Sequence, residues 1–368
     1  MAARPATRRI PAQPTDAAAQ RPAVRDFTTA QAPTIEWDVR PVYDFLFSLS
    51  GEAGSTEDLP EADRRWLADA RGALPPDLAA PAGRLFDSEL CIHLAGLLVE
   101  EREIRTARSF VEHVRGAGAT AVIRSIFAEA ARDPRVGRLI DRALDGDADA
   151  LMALREALPE WRREERLEVL RRPDDAQRDI ISVLDAWAER YGEIEGRIAG
   201  ILERDFDLRA SDRSTIGGTD LIEKTTGGVR WMPDPGVRRV VLAPSYFSRP
   251  YNFLLAAHDW RFFGYPVADE ALDLIDALAP PLGVIRLHRA LGDATRLRIL
   301  KLLAANDLYL TEIAQVLERS KPTIKHHLAQ LRVAGLVTVT EAGNVVYYTL
   351  RRQRLEDASI DLKRFLVE

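Results

Sequence analysis

Residues 291–350 read LGDATRLRILKLLAANDLYLTEIAQVLERSKPTIKHHLAQLRVAGLVTVTEAGNVVYYTL. Apolar residues recur there first at the spacing of helices and then, near the end, at the alternating spacing of strands. The stretch therefore predicts two short helices, a tight turn, a third helix and a hairpin, in that order. This is the order of a winged helix-turn-helix, and no other part of the chain has a residue pattern that indicates a partner. The partner indicated is double-stranded DNA.

The third helix is predicted together with both of its ends. Ser320 is of the type preferred at an N-cap, and Pro322 falls in the first turn, where a missing N–H costs little. Gly335 ends the helix at a position that favours a left-handed residue. The buried face consists of apolar residues at spacings of four and three, namely Ile324, Leu328 and Leu331.

The outer face of this helix carries polar and basic side chains. Lysine donates to guanine O6 or N7, and threonine contacts a base edge or a thymine methyl group. The residues that we expect to contact DNA are Ser320, Lys321, Thr323, Lys325, His326 and Gln330. Arg319, just before the helix, would add a phosphate contact. His327 lies three residues after Ile324 and leans toward the core, so packing and DNA contact both remain open for it.

A hairpin is predicted after the helix, with strands over 336–340 and 345–350. The turn between them, 341–344, contains Gly and Asn where positive φ is needed. Its tip has no Lys or Arg, so we expect only a weak minor-groove contact there. Arg351 and Arg352 end the second strand and suit phosphate contacts.

Charge is distributed unevenly along the chain. Residues 286–368 contain 14 Lys and Arg against 9 Asp and Glu, a net charge of +5. The whole chain has a net charge of −6, so the remainder carries −11. A basic module on an acidic body confines the attraction for DNA to one end of the chain.

This block resembles the ArsR family of bacterial repressors. Residues 291–300 look like the opening helix of that family, residues 320–328 like its recognition helix, and residues 331–336 and 345–350 like its helix end and wing. The resemblance covers about 80 of the 368 residues. It implies a homodimer that binds an inverted-repeat operator and leaves the operator when an effector binds.

The block departs from the family's metal chemistry. Tyr309 and Thr311 stand where many members have the two cysteines of a metal site, and residues 352–368 contain no histidine. The single cysteine, Cys91, is far away in the sequence. Because a soft-metal site needs several thiolates or imidazoles, we expect no metal site and no cofactor.

The fold class predicted for the whole chain is mainly α, with three segments. Residues 1–34 are rich in Ala, Pro, Thr and Arg and are predicted to be a disordered tail. Residues 35–278 would form a helical effector or dimerisation domain with a small β element over 227–243, and residues 279–368 the winged helix. Within the helical domain, a heptad-like seam over 174–205 predicts one helix of about 32 residues, which is about 48 Å long.

Aromatic residues concentrate just before the module, with 8 of them in residues 246–265. The simplest interpretation is a core that ties the domain to the module. The alternative is a pocket for a small-molecule effector or a dimer contact. The candidates for ligand binding are Tyr246, Tyr251, Trp260 and Phe263.

Other functional classes have little support. No nucleophile elbow, phosphate-binding loop or acid–base pair is evident, so we expect no enzyme. No run of about 18 apolar residues indicates a membrane span, and one cysteine fits a reducing cytoplasm. The predicted function is a DNA-binding transcription regulator of ArsR type, a metal-independent repressor. Two alternatives remain open: a protein-interaction module with a degenerate winged helix, and a ligand-binding or enzymatic N-terminal domain tethered to DNA.

Overall fold

A mixed sheet of four strands lies at the centre of the first three quarters of the chain. Its strands are β1 (Thr34–Trp37), β3 (Arg239–Ser245), β4 (Phe253–Ala256) and β5 (Trp260–Pro266), in the spatial order β1-β3-β5-β4. The pairs β1–β3 and β3–β5 are parallel, and β4 is antiparallel to β5. The computed structural model describes residues 32–50, 54–87, 90–158, 164–272, 280–342 and 345–367. Most of the predicted N-terminal tail, residues 1–31, lies outside them.

Both faces of the sheet are covered, as is typical of parallel strands. Val241 and Phe262 face the main helical core, whereas Val240 and Phe263 face a second apolar cluster on the other side. The helices around the sheet are α1 (Val42–Leu49), α2 (Glu61–Gly72), α3 (Pro76–Ala82), α4 (Ala95–Glu100), α5 (Ala107–Gly116), α6 (Ala119–Ile126), α7 (Pro134–Leu144), α8 (Ala148–Ala157), α9 (Glu164–Arg171), α10 (Pro173–Tyr191), α11 (Glu195–Leu208), α12 (Ala210–Thr215) and α13 (Gly218–Thr225).

The predicted mainly α fold class is confirmed, but the single long helix over 174–205 is wrong. The chain forms α10 and α11 with a turn between them. Gly192 has a low helix propensity, and past it the hydrogen bonds tighten, with Ile194 N donating to Tyr191 O at 3.0 Å. The apolar spacing survives the break because Ile198 packs in the same core. No described helix is both long and apolar enough to cross a membrane.

The C-terminal part of the chain is a winged helix with its own apolar core. Its elements are α14 (Leu282–Leu291), α15 (Ala294–Leu303), β6 (Leu308–Tyr309), α16 (Leu310–Leu317), α17 (Lys321–Val333), β7 (Val337–Ala342), β8 (Val345–Leu350) and α18 (Arg352–Val367). The predicted wing strands correspond to β7 and β8, which pair antiparallel. A fourth strand, β2 (Val229–Trp231), pairs parallel with β7 and comes from the body of the chain. The wing sheet therefore includes residues from both sides of the boundary expected at 278/279.

A fully buried carboxyl group fastens α1 to the end of β3. Asp44 Oδ1 accepts hydrogen bonds from Ser245 Oγ at 2.5 Å and from Phe247 N at 3.0 Å. Its Oδ2 accepts from Tyr246 N at 2.8 Å. Burial raises the pKa of Asp44 to about 6, although these three hydrogen bonds act in the opposite direction.

This raised pKa predicts a stability that depends on pH. The folded chain holds the Asp44 proton more tightly than the unfolded chain, so the stabilisation is complete below about pH 4 and is lost as the pH rises past about 6. The loss is on the order of 3 kcal/mol. Urea unfolding of the native chain and of Asp44→Asn between about pH 4 and about pH 8 measures it. As the pH rises, the native chain should lose unfolding free energy relative to Asp44→Asn. A difference between the two proteins that does not change with pH would contradict the raised pKa of Asp44.

Candidate nucleic-acid interface

The turn between α16 and α17 is set by one residue in the left-handed region. Glu318 has φ of +54° and reverses the chain at the end of α16. Arg319 N then donates to Ala314 O at 3.0 Å, which satisfies a carbonyl at the end of that helix. Ser320 Oγ accepts from Thr323 N at 3.3 Å, so the predicted N-cap is confirmed. The break predicted between the two helices is therefore short and tightly hydrogen-bonded.

The two faces of α17 divide as the spacing predicts. Ile324, Leu328 and Leu331 are at most 1% exposed and pack in the core of the module. On the opposite side, a group of polar side chains is exposed, namely Lys321, Thr323, Lys325 and His326. Arg319 and Ser320 are also exposed and precede the helix. Six of the expected DNA contacts thus lie together around the N-terminal half of α17, the half that reads bases in helix-turn-helix proteins.

His327 lies between the two faces. Its side chain is 16% exposed, and its Nδ1 lies 3.7 Å from Asp293 Oδ1. Burial lowers the pKa of His327, although the neighbouring Asp293 acts in the opposite direction. Nδ1 is buried without a hydrogen-bond partner. The position of the ring therefore favours packing over DNA contact.

Gln330, one helical turn beyond His326, faces the body of the chain. Its Nε2 donates to the Tyr251 hydroxyl at 2.9 Å. This bond joins a residue expected to contact DNA to one expected to contact a ligand. No local sequence pattern predicts this hydrogen bond, since the two residues are distant along the chain.

An acidic turn of the body lies beside the same helices. Residues Glu57 and Asp58, in the 3-10 turn Thr56–Asp58, pair with Arg289 and Arg286 of α14 at 2.5 Å each. A cleft of about 520 Å³ separates this turn from α17 and is lined by His326 and Gln330 among others. Carboxylates of the body therefore lie close to the helix that carries the expected DNA contacts.

The basic residues at the end of the wing have different surroundings. Arg351 is exposed, and its backbone N donates to Leu336 O at 2.9 Å. Arg352 Nη2 donates to Ala304 O at 2.5 Å, which caps the end of α15. Residues 343–344 at the wing tip lie outside the described residues. Arg351 is thus exposed at the end of the wing, whereas Arg352 already contacts a helix end.

The outer edge of the wing is covered by β2. Val339 N donates to Gly228 O at 3.0 Å, and Trp231 packs edge-on against Phe263 with ring centroids 6.4 Å apart. Gly228 has φ of +121°, a conformation that favours glycine. The Gly-Gly pair and the following β-type residues predict a strand, but not its partner in the wing.

The four candidate ligand residues do not converge. Tyr246 donates its hydroxyl proton to Asp63, and Trp260 Nε1 donates to Glu100. Phe263 lies on the opposite face of the sheet, and Tyr251 contacts Gln330. Among the clefts formed by the described residues, the one that Phe263 lines and the one that Tyr251 lines are different.

The described residues include no group of three or more His, Cys, Asp or Glu side chains placed to hold a metal ion. Tyr309, the last residue of β6, and Thr311, in the first turn of α16, are both exposed. Cys91 is buried in the main core, and burial raises the pKa of its thiol.

The fold and the exposed face of α17 define a winged-helix DNA-binding regulator. The family of bacterial regulatory proteins of the arsR type matches residues 293–339. The regulator KmtR of Mycobacterium tuberculosis is 33% identical over 21% of this chain and 60% of its own length. The transcriptional repressor SdpR of Bacillus subtilis is 37% identical over 19% of this chain and 78% of its own length. The chain belongs to the ArsR family.

A third relative is the arsenic resistance transcriptional regulator ArsR1 of Pseudomonas putida, with 40% identity over 20% of this chain and 56% of its own length. The chain thus spans between about half and four fifths of the relatives that it matches, and these matches lie in its C-terminal region. They concern the winged helix in the last quarter of the chain.

The N-cap of α17 predicts a stability effect. Ser320→Ala removes the oxygen that accepts from Thr323 N and should lower the unfolding free energy by about 1 kcal/mol. Ser320→Asp is the matched control, because a carboxylate preserves the cap and suits a helix N-terminus. Urea unfolding followed by circular dichroism measures both. If alanine and aspartate unfold alike, the cap does not stabilise α17.

Proposed function

We propose that this chain is a homodimeric transcriptional repressor that binds an inverted repeat in double-stranded DNA and responds to a small-molecule effector instead of a metal ion. One observation carries the DNA-binding part: the apolar side of α17 is fully buried while Lys321, Thr323 and Lys325 remain exposed together. This arrangement presents amine and hydroxyl donors to base edges at the start of a recognition helix.

Phosphate contacts would come from the residues around this helix. Arg319 precedes it and Arg351 follows the wing, and both are exposed. Such contacts fix the position of a protein on the duplex and make its affinity depend on salt. Ser320 and His326 flank the lysines and would complete the contact surface, whereas Gln330 is held by Tyr251.

Regulation without a metal is supported by the residues at the family's metal position. Tyr309 N donates to Glu312 Oε2 at 2.8 Å, so this turn is closed by a hydrogen bond between chain atoms. Phenol and hydroxyl side chains at 309 and 311 are poor ligands for the soft metals that thiolates bind. We therefore place the effector site outside this turn.

Dimer formation is supported by exposed apolar residues on α18. Ile360 and Val367 are 53% and 84% exposed, and seven residues separate them, so they share one helix face. Leu366 beside them is 69% exposed. Apolar residues left on one face of a terminal helix are consistent with burial against a second copy.

The test of DNA binding uses fragments selected from a random pool by the native chain. Lys321→Ala with Lys325→Ala should weaken binding to the selected site by about 100-fold or more, because each base contact contributes about 1–3 kcal/mol. Lys301→Ala is the matched control, since Lys301 is exposed on α15, and should bind within about threefold of the native chain. Fluorescence anisotropy over a salt series measures both.

Equal affinity of the double variant and the native chain would show that α17 does not face the groove. Failure of the native chain to bind any duplex at low salt would favour the protein-interaction module instead, because electrostatic attraction to phosphates is strongest there.

The dimer has its own test. Ile360→Glu with Val367→Glu places two charges on the exposed face of α18 and should convert the protein to monomers at micromolar concentration, since unpaired charges are costly to bury. Met152→Glu, at a residue 59% exposed on α8, is the control and should leave the mass unchanged. Light scattering coupled to gel filtration measures the mass. A dimer that persists in the double variant would place the interface elsewhere.

A further inference from the structure

A cleft of about 270 Å³ lies between the body and the winged helix. On the body side it is lined by the end of α13, by Arg209, and by residues that follow β3 and β5. On the module side it is lined by Arg286 of α14 and Arg332 of α17. The residues after β3 and β5 stand at the carboxyl ends of adjacent parallel strands, which is where open α/β sheets bind ligands.

The lining of this cleft is strongly cationic. Five basic side chains line it, namely Arg209, Lys224, Arg249, Arg286 and Arg332, with Asp269 as the carboxylate among them. Several carboxylates just behind the wall hold these cations in place. Arg209 Nε lies 2.8 Å from Asp205, and Lys224 Nζ lies 2.7 Å from Asp212. Arg286 bridges Asp58 and Asp269.

Arg249 differs from the other cations in its burial and its unsatisfied donor. The residue is 1% exposed, and its Nη2 pairs with Asp269. Its Nη1 is buried without a hydrogen-bond partner. A guanidinium N–H that is removed from water and left without an acceptor is costly, and an anion in the cleft would supply that acceptor.

We propose that this cleft binds a small molecule through an oxyanion group, a phosphate or a carboxylate, which accepts from Arg249 Nη1 while Lys224 neutralises it from the cleft mouth. The volume suits a small metabolite, since it lies just below the range of about 300–1,000 Å³ found for drug-sized ligands. Lys224 suits this role because its side chain is 55% exposed, and its ammonium has three donors, of which the pair with Asp212 at 2.7 Å uses one.

The cleft also connects ligand binding to the recognition helix. Arg286 and Arg332 belong to the helices α14 and α17, whereas Arg249 and Lys224 belong to the body. An anion shared by both sides would change how α17 is held against the body, and it would favour whichever arrangement it binds more tightly. This regulatory part rests on the proposed function, whereas binding of the anion does not.

The binding test uses inorganic phosphate as the probe and the full chain. The line width of the phosphate signal in phosphorus NMR is followed through a titration in a chloride buffer of constant ionic strength. It should show saturable binding in the millimolar range. Arg249→Gln and Lys224→Gln should each weaken it about tenfold, because each removes a charge-assisted donor. Displacement of phosphate by malonate would show that carboxylates are recognised too, and absence of displacement would assign the site to phosphate.

Matched controls separate this cleft from other cationic surfaces. Arg261→Gln removes another buried arginine, which lines a different cleft and pairs with Asp234, and should bind phosphate as the native chain does. The variant with Lys321→Ala and Lys325→Ala should also keep full phosphate binding. Lys224→Gln alters an exposed side chain and keeps the test valid if Arg249→Gln does not fold. Equal line widths for the native chain and Lys224→Gln would overturn the proposal.

The regulatory part is tested separately with the selected DNA. Saturating phosphate should change the DNA affinity of the native chain by about threefold or more relative to that of Arg249→Gln at the same ionic strength. An equal response of the two would limit the cleft to binding without regulation and so overturn this part. Because the NMR assay contains no DNA, phosphate binding with no DNA binding would reject the proposed function and leave the anion site standing.

Discussion

The backbone pairing of β2 with β7 is the constraint on which the arrangement of the molecule depends. Three residues of the body, Val229–Trp231, extend the wing sheet by one parallel strand. Trp231 packs on Phe263 of the central sheet, and Val339 of the wing belongs to the same apolar cluster. A strand held by both backbone hydrogen bonds and side-chain packing cannot shift without breaking both. The wing is thereby fixed to the central sheet.

Ion pairs form a second connection between the body of the chain and the winged helix. The acidic turn at Glu57 and Asp58 pairs with arginines of α14, and Asp269 holds Arg249 and Arg286. Arg286 is 17% exposed, so its pairs are less screened than those at the surface. Part of the negative charge of the body is therefore paired with arginines inside the molecule, close to the winged helix that must attract DNA. A change in these pairs would move α14 and, through the shared core, α17.

Prediction from the sequence succeeded where structure is local. The ends and faces of α17 follow from Ser320, Gly335 and the spacing of three apolar residues, all within one short stretch. The same reasoning joined α10 and α11 into one helix, because the apolar spacing continues through the break at Gly192. It also placed Gln330 with the exposed residues, since helix position alone does not reveal that Tyr251 packs beside it.

The sequence by itself determined the class of the C-terminal module and the division of α17 into a buried apolar face and an exposed polar face. These depend on periodicity, caps and turn residues, which act over a few residues. The tertiary structure alone decided that β2 completes the wing and that Arg249 meets Arg286 and Arg332 at one cleft. Those contacts join residues distant along the chain, and they form only once the central sheet and its helices have packed.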